Sequence, residues 1–62
     1  MNPAIKEEVQ NIRKELVQLI ERLKKLEEET LDPKDIELLG HAILNLTVAE
    51  IDLVTLGQRE QS

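Results

Sequence analysis

Asp32-Pro33 stands at the middle of a 62-residue chain whose apolar residues otherwise recur with helical spacing on both sides. Proline lacks a backbone N–H and disfavours helical geometry at the residue before it, so one helix running through this point is unfavourable. The same stretch, "TLDPKDIELL", carries the signals of a helix start. Asp32 suits the N-cap, Pro33 suits the first helical position, and Asp35 adds negative charge to the first turn. Leu31 and Ile36 stand at the N′ and N4 positions of a hydrophobic staple. Two helices are therefore expected, about 3–29 and 33–56. The few residues around Thr30–Asp32 that join them force an antiparallel hairpin.

The first helix opens on Asn2 as N-cap with Pro3 at its first position. Ile5, Val9, Ile12, Leu16, Leu19, Leu23 and Leu26 follow at alternating spacings of four and three, a heptad seam with Val9, Leu16 and Leu23 at a and the other four at d. Val17 and Ile20 widen the stripe, as in a helix with more than one neighbour. Glu27, Glu28 and Glu29 crowd the carbonyl end, where the helix dipole prefers cations, and predict fraying of the last turn. At the end of the second helix, Gly57 is the expected left-handed stop, leaving a frayed polar tail over 58–62. No internal repeat or linker divides the chain, so residues 1–62 read as one helical-hairpin domain.

On the second helix Glu37, His41, Asn45, Asp52 and Thr55 form one narrow polar stripe. The rest of its circumference is largely aliphatic, with Gly40, Thr47 and Glu50 among the apolar residues. A single neighbouring helix cannot cover so wide an arc, and the hairpin alone would expose a larger apolar patch than monomers usually show. The expected solution is a two-fold homodimer closing a four-helix bundle, with Ile36, Leu39, Gly40, Ile43, Leu46, Thr47, Glu50, Ile51 and Val54 at the interface. Gly40 has two readings, a close backbone approach and a tolerated imperfection. Glu50 lies opposite residues 12 and 13 across the hairpin, which makes Arg13 its natural counter-charge. Such a pair fixes register at little net gain in stability. The competing readings of Glu50 are a desolvated acid, base or partner-binding carboxylate, and a glutamate at the edge of the dimer reaching out to water.

Composition narrows the chemistry. With no cysteine and one histidine there is no thiolate site and little for a zinc site, and no cofactor is expected. Glu37 and His41, four apart, lack the Glu-x-x-His spacing of carboxylate-bridged di-iron bundles, so metal binding is not expected. Phosphate-loop, calcium-loop and nucleophile-elbow patterns are absent. The net charge of -5 and the absence of aromatic residues speak against nucleic acid as a partner. No run of roughly 20 apolar residues and no signal segment is evident, which leads to the expectation of a cytoplasmic protein without membrane contact.

Two resemblances bear on function. In size and hairpin plan the chain resembles Rop, a plasmid copy-number regulator that binds paired RNA loops through one face of a dimeric four-helix bundle. That likeness implies a nucleic-acid regulator, but the lysines and arginines of the first helix are interleaved with Glu7, Glu8, Glu15 and Glu21. The "IRKEL" of the first helix and the "DPKDIEL" that opens the other helix resemble the hairpin of small two-helix phosphatases acting on response regulators. That family carries Ser-Gln-x-Leu-Asp near the start of its second helix. Here Gly40, His41, Ala42, Ile43 and Leu44 stand in those positions, without the Gln or the Asp, so the activity is not expected to follow. The leading expectation is a small non-enzymatic regulator or adaptor that forms homodimers. The stripe Glu37, His41, Asn45, Asp52 and Thr55 is its candidate surface for a protein partner.

Overall fold

The computed structural model describes residues 2–59. It is all-α: α1 spans Pro3–Glu29 and α2 spans Pro33–Arg59, and the two pack against each other as an antiparallel hairpin. Each helix has 27 residues, about 40 Å at 1.5 Å per residue, and the molecule measures 45 × 15 × 10 Å. Its radius of gyration of 14.5 Å exceeds the roughly 10.6 Å of a compact domain of this length. The hairpin is a rod with a single seam.

Both helix starts are built as the sequence indicates. The Ala4 N–H donates to Asn2 Oδ1 at 2.8 Å ahead of Pro3, and the Lys34 N–H donates to Asp32 Oδ1 at 2.8 Å ahead of Pro33. Both side chains thus satisfy an N–H that has no partner within the helix. The staple is not formed: Thr30 is extended and Leu31 is 92% exposed. The last turn of α1 is intact despite its three glutamates. The Thr30 hydroxyl donates to the Leu26 carbonyl at 2.8 Å, and the Thr30 N–H donates to the Glu27 carbonyl at 3.2 Å, which satisfies two end carbonyls.

Gly57 does not stop α2. No described glycine has a positive φ, and the helix continues through Gln58 to Arg59. Glycine permits the left-handed conformation without compelling it. Gln58 and Arg59 are good helix formers, and a cation in the last turn suits the dipole. Residues 60–62 of the expected tail lie outside the described residues.

The seam itself differs from the expected one. On α1 the covered positions are Val9, which is buried, and the partly covered Arg13, Leu16, Ile20, Leu23 and Glu27; on α2 the row Leu39, Ile43, Leu46, Glu50, Leu53 and Gly57 is partly covered, as are Gly40, Ala42, Thr47, Ala49 and Val54 beside it. Both rows step by alternating fours and threes. The hairpin therefore uses the a row of α1 with the row that holds Arg13 and Ile20. The d row is left outside: Ile5 is 54%, Ile12 38%, Leu19 42% and Leu26 49% exposed. Val9, at 8%, is the one buried apolar residue among those described. A helix with apolar residues at both a and d is patterned for a wider contact than this seam, which covers the a row and leaves the d row exposed.

Candidate interaction surface

A polar contact across the seam joins Arg13 and Glu50. Arg13 Nε donates to Glu50 Oε1 at 3.1 Å, and Arg13 Nη1 donates to Gln10 Oε1 at 3.3 Å. The two charged side chains keep 30% and 22% of their exposure, so water still reaches both. The pair forms within one hairpin, where the antiparallel register places residues 13 and 50 side by side. An open depression of about 350 Å³ beside it is lined by Gln10, Arg13, Lys14, Val17, Gln18 and Glu50.

Two right-handed helices running antiparallel present residues of the same rotational sense to the same side of their hairpin. Residues just before the seam positions thus share one side: Ile12 and Leu19 of α1 lie with Ala42, Ala49 and Leu56 of α2. We call this the Leu19 face. Residues just after the seam positions share the other side, where Lys14, Val17 and Lys24 of α1 lie with Gly40, Thr47 and Ile51 of α2. On the Leu19 face the aliphatics are flanked by Glu8, Glu15 and Arg22 of α1 and by Asn45 and Asp52 of α2, whereas on the Lys24 side Val17, Leu44 and Ile51 are exposed beside the lysines of α1. A further open depression, about 500 Å³, runs along the outer edge of the Leu19 face and is lined by Leu19, Arg22, Leu23, Lys25, Leu26 and Glu29.

The interface residues expected from sequence divide between these regions. Leu39, Ile43, Leu46 and Glu50 are partly covered in the hairpin's own seam, and Val54 and Thr47 border it. Ile36, which continues the seam row toward the connection, remains 38% exposed, and Ile51 on the Lys24 side is 54% exposed. Thr47 donates its hydroxyl to the Ile43 carbonyl at 2.8 Å. A Cβ built on Gly40 would meet only Glu27 Oε2, at 3.7 Å, so no backbone in the hairpin requires a glycine there. The positions not expected from sequence are Leu38, Ala42, Ala49 and Leu56. Their signal is the alternating three-four spacing of Leu39, Ala42, Leu46, Ala49, Leu53 and Leu56, a heptad row as regular as that of α1.

Glu37, His41, Asn45, Asp52 and Thr55 are all exposed along one stripe of α2, and Thr55 donates its hydroxyl to the Ile51 carbonyl at 3.1 Å. Among the described residues no three His, Cys, Asp or Glu side chains are grouped so as to hold a metal ion. α2 is long and apolar enough to cross a membrane by length and composition, with a mean hydropathy of 1.4 over 18 residues. The expectation of no such stretch rested on the lack of an unbroken apolar run, whereas the average tolerates Glu50 and Asp52. Such a charge near a bilayer centre costs about 2.5–3.5 kcal/mol on insertion scales.

The fold and surface define a two-helix antiparallel hairpin with apolar residues exposed on both of its sides. No protein-family model, no curated protein and no solved structure matches the chain.

Proposed function

We propose that this protein is a non-enzymatic interaction module that works in the aqueous phase as a homodimer, two hairpins joining their Leu19 faces into a four-helix bundle. The observation that carries this reading is the Leu19 face itself, with Ile5, Ile12, Leu19 and Leu26 at 38–54% exposure along one side of α1. The surface area supports it. The hairpin exposes 5004 Å², about 900 Å² more than the roughly 4,100 Å² of a folded monomer of its mass. A standard interface buries about 800 Å² per partner. The stripe Glu37, His41, Asn45, Asp52 and Thr55 then faces outward on each copy as the surface for a protein partner, the part of a regulator or adaptor.

Light scattering across a concentration series tests the assembly. Wild-type protein is expected at twice the 7.1 kDa chain mass. Leu19→Glu, which buries a charge in the joined faces, is expected to shift the mass to the monomer or unfold the chain. Lys24→Glu, on the other side, is expected to leave the dimer intact. A wild-type monomer that persists at high concentration would overturn the reading.

A further inference from the structure

We infer that the Lys24 side is a docking groove for one amphipathic helix of a partner protein, with an aliphatic row turned to α2 and carboxylates along the edge that meets α1. This side stays uncovered when the Leu19 faces join, and it is equally open in a single hairpin.

The two helices give the groove different chemistry. On α2, Gly40, Leu44, Thr47, Ile51 and Val54 recur at alternating spacings of four and three, a further heptad row with no charge in it. Leu44 is 61% exposed, and Val48 beside the row is 48% exposed. Outside the seam α2 is thus aliphatic on both sides, and a helix apolar most of the way round belongs among several neighbours. Gly40 and Thr47 alternate with Leu44 and Ile51, so small residues leave holes for the side chains of a third helix. The hairpin itself has no use for a glycine at 40, where a Cβ would meet only Glu27 Oε2 at 3.7 Å. Residues 40–54 cover about 21 Å, about four turns of a partner helix.

Charge sets the chemistry of that partner. The register that places residue 13 beside residue 50 brings Lys24 level with the Gly40 end of the row, Lys14 level with Ala49, and Lys6 just past Val54. Glu21 stands farther round α1 than Lys24, Glu28 lies beyond the Gly40 end, and Arg13 is already held by Glu50. Along the row three lysines therefore stand against one glutamate, in a chain whose net charge is -5. The Leu19 side has the reverse balance, with Glu8, Glu15 and Asp52 against Arg22. An acidic edge on the partner is attracted by the lysine rim and repelled by the other side, which selects the face. A flat anionic bilayer would also meet Glu37 and the rest of the negative charge, whereas a single helix meets the rim alone.

The chain has no aromatic residue, so one tryptophan in a synthetic peptide reports binding without background. The probe is an amphipathic peptide of about 18 residues, with leucines in a heptad row and glutamates beside them. Its counterparts carry lysines in place of the glutamates, or the same composition in scrambled order. The glutamate peptide is expected to bind the protein saturably, one peptide per chain, with a blue shift of its emission. The lysine peptide is expected to bind about tenfold more weakly or less. Lys14→Glu combined with Lys24→Glu is expected to reverse that order, and Ile51→Glu to abolish binding of both while the helicity of the protein is unchanged. Failure of the glutamate peptide to bind, equal binding of the lysine or scrambled peptide, or binding indifferent to these substitutions overturns the proposal. So does co-sedimentation of the protein with phosphatidylglycerol vesicles when the glutamate peptide does not bind. Binding by a chain that light scattering shows to be a monomer supports the docking side and overturns the homodimer reading alone.

Discussion

At the scale of single residues, Glu50 is the informative one, a carboxylate in the middle of an aliphatic run. Its partner Arg13 comes from the same hairpin, at 3.1 Å. Because both groups remain partly in water, their attraction is modest and their desolvation is shallow. A double-mutant cycle on Glu50→Leu and Arg13→Leu, followed by thermal melts, is expected to give a coupling of about 0.5–1 kcal/mol. Glu50→Leu alone is expected to be neutral or stabilising, since it trades a charged seam position for an apolar one. Additive effects of the two substitutions would show that the contact contributes nothing. The pair's use is geometric, because shifting the hairpin by one residue would move Glu50 away from Arg13 and into the aliphatic rows.

At the scale of the helices, the starts were legible and the faces were not. Asn2-Pro3 and Asp32-Pro33 are local chemistry: a side-chain oxygen two residues from an unpaired N–H needs no knowledge of the rest of the chain. Leu31, Gly57 and the glutamates at 27–29 misled because each describes what a residue permits, and a competing local bond decided the outcome. Thr30 closes α1 with its hydroxyl, which the dipole alone does not weigh. Which apolar row of α1 meets α2 is a choice between two equally regular stripes. The hairpin took the one that also brings Arg13 to Glu50. The exposed stripe of Glu37, His41 and Asp52 was legible as polar periodicity, whereas the Leu38–Ala42–Ala49–Leu56 row was masked by its small residues. Gly40 gives a prediction at this scale. A mid-helix glycine costs about 1 kcal/mol relative to alanine, and the only neighbour a Cβ would meet is the flexible end of Glu27. Gly40→Ala is therefore expected to raise stability by about 0.5–1 kcal/mol in chemical denaturation. A loss would show that a backbone packs against α2 on the Lys24 side.

For the whole molecule, one seam with one buried aliphatic residue among those described is a thin core for a chain without disulfides. Domains this small usually need a metal, a disulfide or an assembly to be stable. Association of folded copies makes the melting temperature depend on concentration. The wild-type midpoint is accordingly expected to rise as protein concentration is raised across two decades, and that of Leu19→Glu is not. A wild-type midpoint independent of concentration would place all of the stability in the single hairpin. The brevity of the connection between α1 and α2 also bears on time. Closing a loop this short takes on the order of 100 ns or less, so each hairpin can form long before it meets another. In the proposed homodimer, refolding would then be paced by collision, and a freshly made copy would carry its uncovered leucines through the solution until another one arrives.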